Sequence, residues 1–208
     1  MGRIVVFGAG GRAGRAVVDE ARARGHEVTA VVRDPRRHPG VRGDVTDPRS
    51  VAELVAGHDA AVQAATPVTG PHQVAGDWDR AFFTKAADAL LASGVPRLVA
   101  VGLFADLRAP GGGLVMDDPA LFPPELRAFA QAHADGLARL RASATGVDWV
   151  VLTPPAELFT GERTGRYRLG GEEAGGAALS YSDLAVAVVD EAVRPRHHRE
   201  RVAARGAR

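Results

Sequence analysis

The chain has 208 residues, 46% of them apolar, with a formal net charge of +1 and no cysteine. These figures leave room for one domain with a sizeable core and exclude disulfides and thiolate metal sites. They give no bulk electrostatic drive toward nucleic acid or an anionic membrane, and no apolar run approaches the length of a membrane span.

Strand and helix signals alternate from the first residue. Met1-Gly2-Arg3 passes straight into the apolar run Ile4 to Phe7, which reads as a buried parallel strand. That leaves no place for a secretory leader, and a cytoplasmic protein is expected. Gly14 to Arg24 is patterned as a helix ending at Gly25, and Val28 to Val32 as a second strand. A turn rich in Pro and Arg (34–40) leads to a short third strand end in Val41 to Val45. Asp47-Pro48 opens a helix in the expected way, with Asp as N-cap and Pro in the first turn. Ala60 to Ala64 is a fourth strand, Asp79 to Ala92 a helix closed by Gly94, and Leu98 to Val101 a fifth strand. Pro124 to Ser143 reads as a long helix and Trp149 to Leu152 as a sixth strand. The rhythm then loosens: 153–178 is loop-like, with an edge strand in Arg163 to Leu169. Ser182-Asp183 caps a helix to about Val193, and a last short strand lies around Arg201 to Ala204. The Arg-rich tail lacks the aromatics of a stacking nucleic-acid arm. This order specifies an α/β, doubly wound parallel sheet in a single domain (1–208), with a small C-terminal lobe on the substrate side and ligand at the carboxyl ends of the strands.

The strongest chemical signal is Phe7-Gly8-Ala9-Gly10-Gly11-Arg12-Ala13-Gly14, between the first strand and the first helix. Glycines there let the backbone turn and approach a pyrophosphate, and the helix N-terminus points amides at the anion. A Gly-rich turn alone is weak; in a strand–turn–helix–strand unit it is a dinucleotide site. Arg33 stands where an NAD site commonly places an acidic residue, with Asp34 one place late. Arg12 and Arg33 converging on the ribose would suit a 2′-phosphate, which favours NADP (NADPH) over NAD. A solvated loop of Arg33, Arg36 and Arg37 is the plainer alternative. Asp44 and Val45 stand where the adenine should lie, and Ala64, Ala65 and Thr66 are small enough to let the middle of the cofactor pass.

With these pieces in order the chain resembles an atypical short-chain dehydrogenase/reductase of the NAD(P)H-binding, NmrA-like group, with a Rossmann-like fold. The resemblance is carried by 7–14, Val31-Val32-Arg33-Asp34-Pro35, Gly43-Asp44-Val45-Thr46-Asp47, Arg97 to Gly102, Leu140-Arg141-Ala142-Ser143, Trp149 to Pro155, and Gly161 to Tyr167. It implies that Pro154 and Pro155 pass beside the nicotinamide and that Gly102 ends the fifth strand next to the cofactor. A closer likeness is to the flavin reductase/biliverdin-IXβ reductase branch, where a His precedes a Leu-Arg-x-Ser ending; His133 stands at that place. It is a candidate general acid, although helical spacing also puts it beside Phe129, Ala130 and Leu137, as a packed structural histidine would be.

The usual acid of short-chain dehydrogenases, a Tyr with a Lys four residues on, is missing. The tyrosines Tyr167 and Tyr181 are followed at that spacing by Gly171 and Ala185, and Lys85 is the sole lysine. An NAD(P)H-dependent reductase acting on a small planar or conjugated substrate, such as a flavin or quinone, is therefore expected. A dinucleotide-binding redox sensor or a biosynthetic epimerase, cyclase or isomerase are the alternatives. Phe104 and Asp106 are expected at the substrate pocket; Asp106, with Asp117, Asp118 and Glu125, is an alternative proton donor or a solvated loop charge. The scattered histidines, including the His197-His198 pair, suggest no metal. The expected partner is a small-molecule substrate, with no nucleic acid and no membrane, in a monomer or homodimer.

Overall fold

A computed structural model describes residues 1–207. Eight strands form one sheet: β1 (Arg3–Phe7), β2 (Glu27–Val32), β3 (Val41–Arg42), β4 (Ala60–Gln63), β5 (Arg97–Val101), β6 (Asp148–Thr153), β8 (Tyr167–Leu169) and β10 (Glu200–Gly206). Their order is β3-β2-β1-β4-β5-β6-β10-β8. All neighbours pair in parallel except β10 and β8. A short parallel pair, β7 (Leu158–Phe159) and β9 (Leu179–Ser180), stands apart.

Alternation along β1 explains the layering, because a central parallel strand is covered on both faces. Val5 and Phe7 enter one core with α2 (Pro48–Val55), α3 (Phe82–Ala92) and α4 (Arg127–Arg141). Ile4 and Val6 enter the other, with α1 (Arg12–Ala23) and α5 (Tyr181–Val193). The chain leaves β1 for β2 and β3, then crosses back to β4 on β1's other side. The order of winding therefore reverses between β1 and β4, which is where an open sheet of this kind leaves a crevice.

Several boundaries differ from expectation for local reasons. α5 is capped by Ser180, whose Oγ accepts from the Asp183 amide at 3.0 Å, rather than by Ser182-Asp183. Those two residues hold the preceding loop instead: Ser182 Oγ donates to Gly161 O, and the Asp183 carboxylate accepts from the amides of Thr164 and Gly165. The expected edge strand 163–169 is shortened to β8 because Arg163 turns away to form two hydrogen bonds to the buried Glu20 of α1. Proline at 123 and 124 delays α4, so Pro124–Leu126 is a 3-10 turn. α3 begins at Phe82, with Asp79 accepting from the Ala81 amide and pairing with Lys85. The segment expected as a C-terminal lobe carries the separate β7–β9 pair. β8 and β10 extend the main sheet, and the small extra cluster comes from mid-chain (Ala105, Val115, Met116, Phe122). It is laced to the glycine-rich loop 170–176 by hydrogen bonds from the Arg108 amide to Glu172 O and from the Ala174 amide to Arg108 O.

At the amino ends of β5 and β6, Arg97 lies buried between Glu191 of α5 (2.9 Å) and Asp148 (2.8 Å). His197 meets Glu191 and His198 meets Asp148, so the two histidines face different carboxylates. Removing one partner of a buried pair leaves an uncompensated charge. Glu191→Ala should lower stability by about 3–5 kcal/mol, whereas Arg97→Met with Glu191→Leu should lose much less. Urea unfolding of both variants checks this; equal losses would show that packing rather than charge holds the junction.

Candidate dinucleotide and substrate site

The glycine loop is shaped by backbone contacts. Gly8 has φ +84°, and a Cβ there would lie 2.5 Å from Ala65 N and 2.6 Å from Ala64 O. A Cβ on Gly14 would lie 2.1 Å from Gly8 O, so only glycine lets α1 start this close to the end of β1. The amides of Gly8 and Ala9 both donate to Val31 O at 3.1 Å, tying the loop to β2. Gly11 is the N-cap of α1 and provides no side-chain cap, so no side chain competes for the helix's first amides. That is the chemistry of a pyrophosphate cradle.

A cleft of about 310 Å³ opens over this loop at the carboxyl ends of β1, β2 and β4. It brings together Gly8, Gly10 and Gly11 with Arg33, Asp44, Val45, Ala64, Ala65 and Thr66, all expected from the sequence. Arg12 is not on its wall: the guanidinium lies 5.1 Å from the Tyr181 ring, over α5. Ala13 packs into the α1–α5 core, and Gly14 is buried beneath the loop. In place of Arg12 the cleft receives Arg37 and His38, from the turn the sequence presented only as rich in Pro and Arg. The His38 ring sits against Gly10, where a Cβ would come within 2.7 Å of it. Asp34 also lines the cleft, but its Oδ1 accepts from the amide and Nε of Arg36, both at 3.1 Å. The Arg36 guanidinium and amide hold this carboxyl below the usual carboxylate range. Asp44 Oδ1 accepts from the Thr46 amide and hydroxyl, which sets the turn above the cleft floor.

A second, smaller cavity of about 40 Å³ lies farther along the same edge, beneath α3 and α4. It joins Gln63 at the end of β4, Gly102 and Asp106 after β5, Phe83 of α3, and His133 and Gly136 of α4. Gly136 matters because its Cβ would come within 2.7 Å of Phe83 Cβ; its absence lets the two helices close. Closure places the His133 ring 3.7 Å from the Phe83 ring and 4.9 Å from Phe129. Burial pushes the half-buried imidazole down to about 3, so it is neutral near pH 7.

Asp106 departs from the solvated loop charge the sequence allowed. It is only 3% exposed, and Arg201 Nη1 lies 2.9 Å from its Oδ1. Burial pushes the carboxyl up to about 6 against the opposing pull of Arg201. Asp117, Asp118 and Glu125 are exposed, as loop charges. Phe104 packs edge-on against Phe122 at 5.7 Å and lines neither cavity. Pro154 and Pro155 are buried just after β6 and also stand off both walls.

A family model for NAD(P)H binding matches residues 8–195, spanning the loop, the cleft and the smaller cavity. The chain belongs to the NAD(P)H-binding family. Its relatives agree over full length. YwnB of Bacillus subtilis (strain 168), itself uncharacterized, is 32% identical over 213 residues, covering 96% of each chain. The "putative NADH-flavin reductase" of Streptococcus pneumoniae TIGR4 is 28% identical, covers 100% of both chains and superposes with a TM-score of 0.84. The "putative epimerase" of Bacteroides thetaiotaomicron is 30% identical, covers 100% of this chain and 98% of its own, and has a TM-score of 0.85. The fold of this NAD(P)H-binding protein is thus Rossmann-like, in keeping with the atypical short-chain dehydrogenase/reductase resemblance.

The cradle makes a direct prediction. Gly14→Ala forces a methyl into the Gly8 carbonyl, and overpacking of this kind costs about 1–3 kcal/mol. The variant should lose that much stability and most of its affinity for reduced dinucleotide, read by urea unfolding and fluorescence titration. Unchanged binding would separate the close approach from the cofactor.

Proposed function

We propose that the protein is an NADPH-dependent reductase that reduces a small planar, conjugated acceptor of the flavin or quinone kind. The observation carrying this reading is the union, in one cleft, of the glycine cradle with Arg33, Arg37 and His38 at the end of β2, while Asp34 is engaged by Arg36. Guanidinium groups take a phosphate in bidentate fashion, whereas an NAD site wants a carboxylate free to accept from the ribose hydroxyl. Gly8, Gly10 and Gly11 would hold the pyrophosphate, and Asp44 and Val45 would flank the adenine. Bound there, the reduced nicotinamide supplies a hydride.

The remaining work falls to the chain. Neither tyrosine lines the smaller cavity: Tyr167 donates to Asp190, and Tyr181 lies under Arg12. Lys85 pairs with Asp79 at 2.8 Å. Without a Tyr/Lys pair, orientation of the acceptor against the reduced nicotinamide carries a large share of the rate, and any proton comes from another group or from solvent. Phe83 and His133 offer aromatic faces at the cavity, and a neutral His133 serves there for stacking and hydrogen bonding. The absence of any helix long and apolar enough to cross a membrane among the described residues fits a small-molecule enzyme of the cytoplasm.

Arg33→Ala should weaken NADPH by roughly 10–100-fold, the scale of a lost charge-assisted hydrogen bond, and leave NADH nearly unchanged. Equal losses in paired titrations would sink the phosphate assignment. Steady NADPH oxidation with a panel of flavins and quinones tests the reaction itself. Tight binding with no turnover on any acceptor would favour a dinucleotide-binding sensor.

A further inference from the structure

Among the described residues Glu191 and Asp106 are buried carboxylates each paired with a buried arginine, and they are not alike. Glu191 receives Arg97 Nη2, the amides of Arg196 and His197, and His197 Nδ1, so its charge is met from several sides. Asp106 is met much less well. Arg201 Nη1 directs its hydrogen bond to the Asp106 backbone carbonyl at 2.6 Å, and Asp106 Oδ1, 2.9 Å from the same nitrogen, accepts no well-directed hydrogen bond. The other arm of the guanidinium, Nη2, is committed to Glu172 at 3.0 Å, and Glu172 is also held by Arg141. A deeply buried carboxyl with one incompletely shared cation is poised to hold a proton.

Asp106 also borders a cavity. Asp106 closes the 3-10 turn Phe104–Asp106 directly after β5 and forms part of the wall of the smaller cavity, with Gly102, Gln63 and His133. The charged and titratable groups around it are Arg201 on β10, Glu172 on the glycine-rich loop, and Arg141 and His133 on α4. His133 makes no polar contact among the described residues, and burial lowers its proton affinity so that it is neutral near pH 7. Asp106 is different, its carboxyl being pushed up to about 6. Two titratable groups on one small cavity, driven in opposite directions by their surroundings, divide the roles of acid and neutral partner between them.

We propose that Asp106 is the proton donor of the site and that Arg201 is the positioning residue that holds the carboxylate left behind. The inference rests on the reductase reading above and assigns its proton step. The Asp106 O–H bond breaks and a bond forms from that proton to the electron-rich acceptor atom, whose added electron pair originates in the reduced nicotinamide dinucleotide. The Asp106 carboxylate then faces Arg201 until it is reprotonated from solvent. Acceptors favoured by this arrangement carry a ring nitrogen or carbonyl oxygen that gains a proton on reduction.

The test begins on the protein alone. Infrared titration of wild type should show a carboxylic-acid carbonyl band fading with a midpoint near pH 6, above the ordinary Asp range, and missing in Asp106→Asn. Asp106→Glu, which keeps the acid but lengthens its arm, should move that band rather than abolish it, and it serves if the Asn variant does not fold. In turnover, wild-type kcat should fall as pH rises through about 6, and Asp106→Asn should be slower by about 10²-fold or more at pH 6, with a flat profile and unchanged affinity for dinucleotide. No band near pH 6 overturns the proposal, whatever the activity. A band with identical turnover in wild type and Asp106→Asn overturns proton delivery. Failure of wild type to oxidise NADPH with any acceptor overturns the reductase reading, and delivery with it, even if the band is present.

Discussion

The backbone around Gly8 is pressed from two sides, by the first turn of α1 through Gly14 and by the end of β4 through Ala64 and Ala65. No side chain fits on either side of that contact. Because it is made, the end of β1, the start of α1 and the end of β4 meet at the point where the winding of the sheet reverses. The glycines of the loop, leading into the uncapped start of α1, then border one crevice, which the small residues Ala64 and Ala65 after β4 leave open. The cleft, its basic rim at the end of β2 and the smaller cavity beyond it all take their positions from this one approach.

Arginine does the fastening elsewhere. With a single lysine in the chain, nearly every cation is a planar fork with five donors. Arg97 uses its fork to join the amino ends of β5 and β6 to the end of α5. Arg201 uses its own to join β10 to the turn after β5 and to the glycine-rich loop. Arg24 and Arg163 both reach Glu20, connecting α1 to α5 and to the segment before β8. The segments that looked irregular in the sequence are thus secured by side chains as well as by backbone bonds such as Gly170 N to Ala203 O and Ala203 N to Gly171 O, and the buried Arg201 adds a side-chain tie between the glycine-rich loop and the sheet.

Much of the fold could be read from the sequence because its signals are local. The apolar run of β1, the Asp47-Pro48 cap and the glycine spacing each act within a few residues, and each behaves as its chemistry suggests. The departures come where a residue serves a distant partner. Ser182 and Asp183 look like a cap, yet they are engaged by Gly161, Thr164 and Gly165, so Ser180 takes the cap. Arg12 lies inside the glycine loop in sequence but points over Tyr181, while Arg37 and His38, which look like turn residues, line the cleft. The only trace of Arg201's role in the sequence is a charged residue heading the apolar run Val202 to Ala204.

The sequence by itself determined the order of strands and helices, the parallel doubly wound sheet and the dinucleotide cradle, because hydrophobic period, capping chemistry and glycine's freedom are properties of short stretches of chain. Only the tertiary structure decided which cations face the cleft and which carboxyl is buried. Those outcomes depend on side-chain direction and desolvation, set by elements up to a hundred residues apart. His133 and Asp106 show it best: in sequence either could be an acid or a bystander, and burial shifts their proton affinities in opposite directions, lowering that of His133 beside Phe83 and raising that of Asp106 against the pull of Arg201.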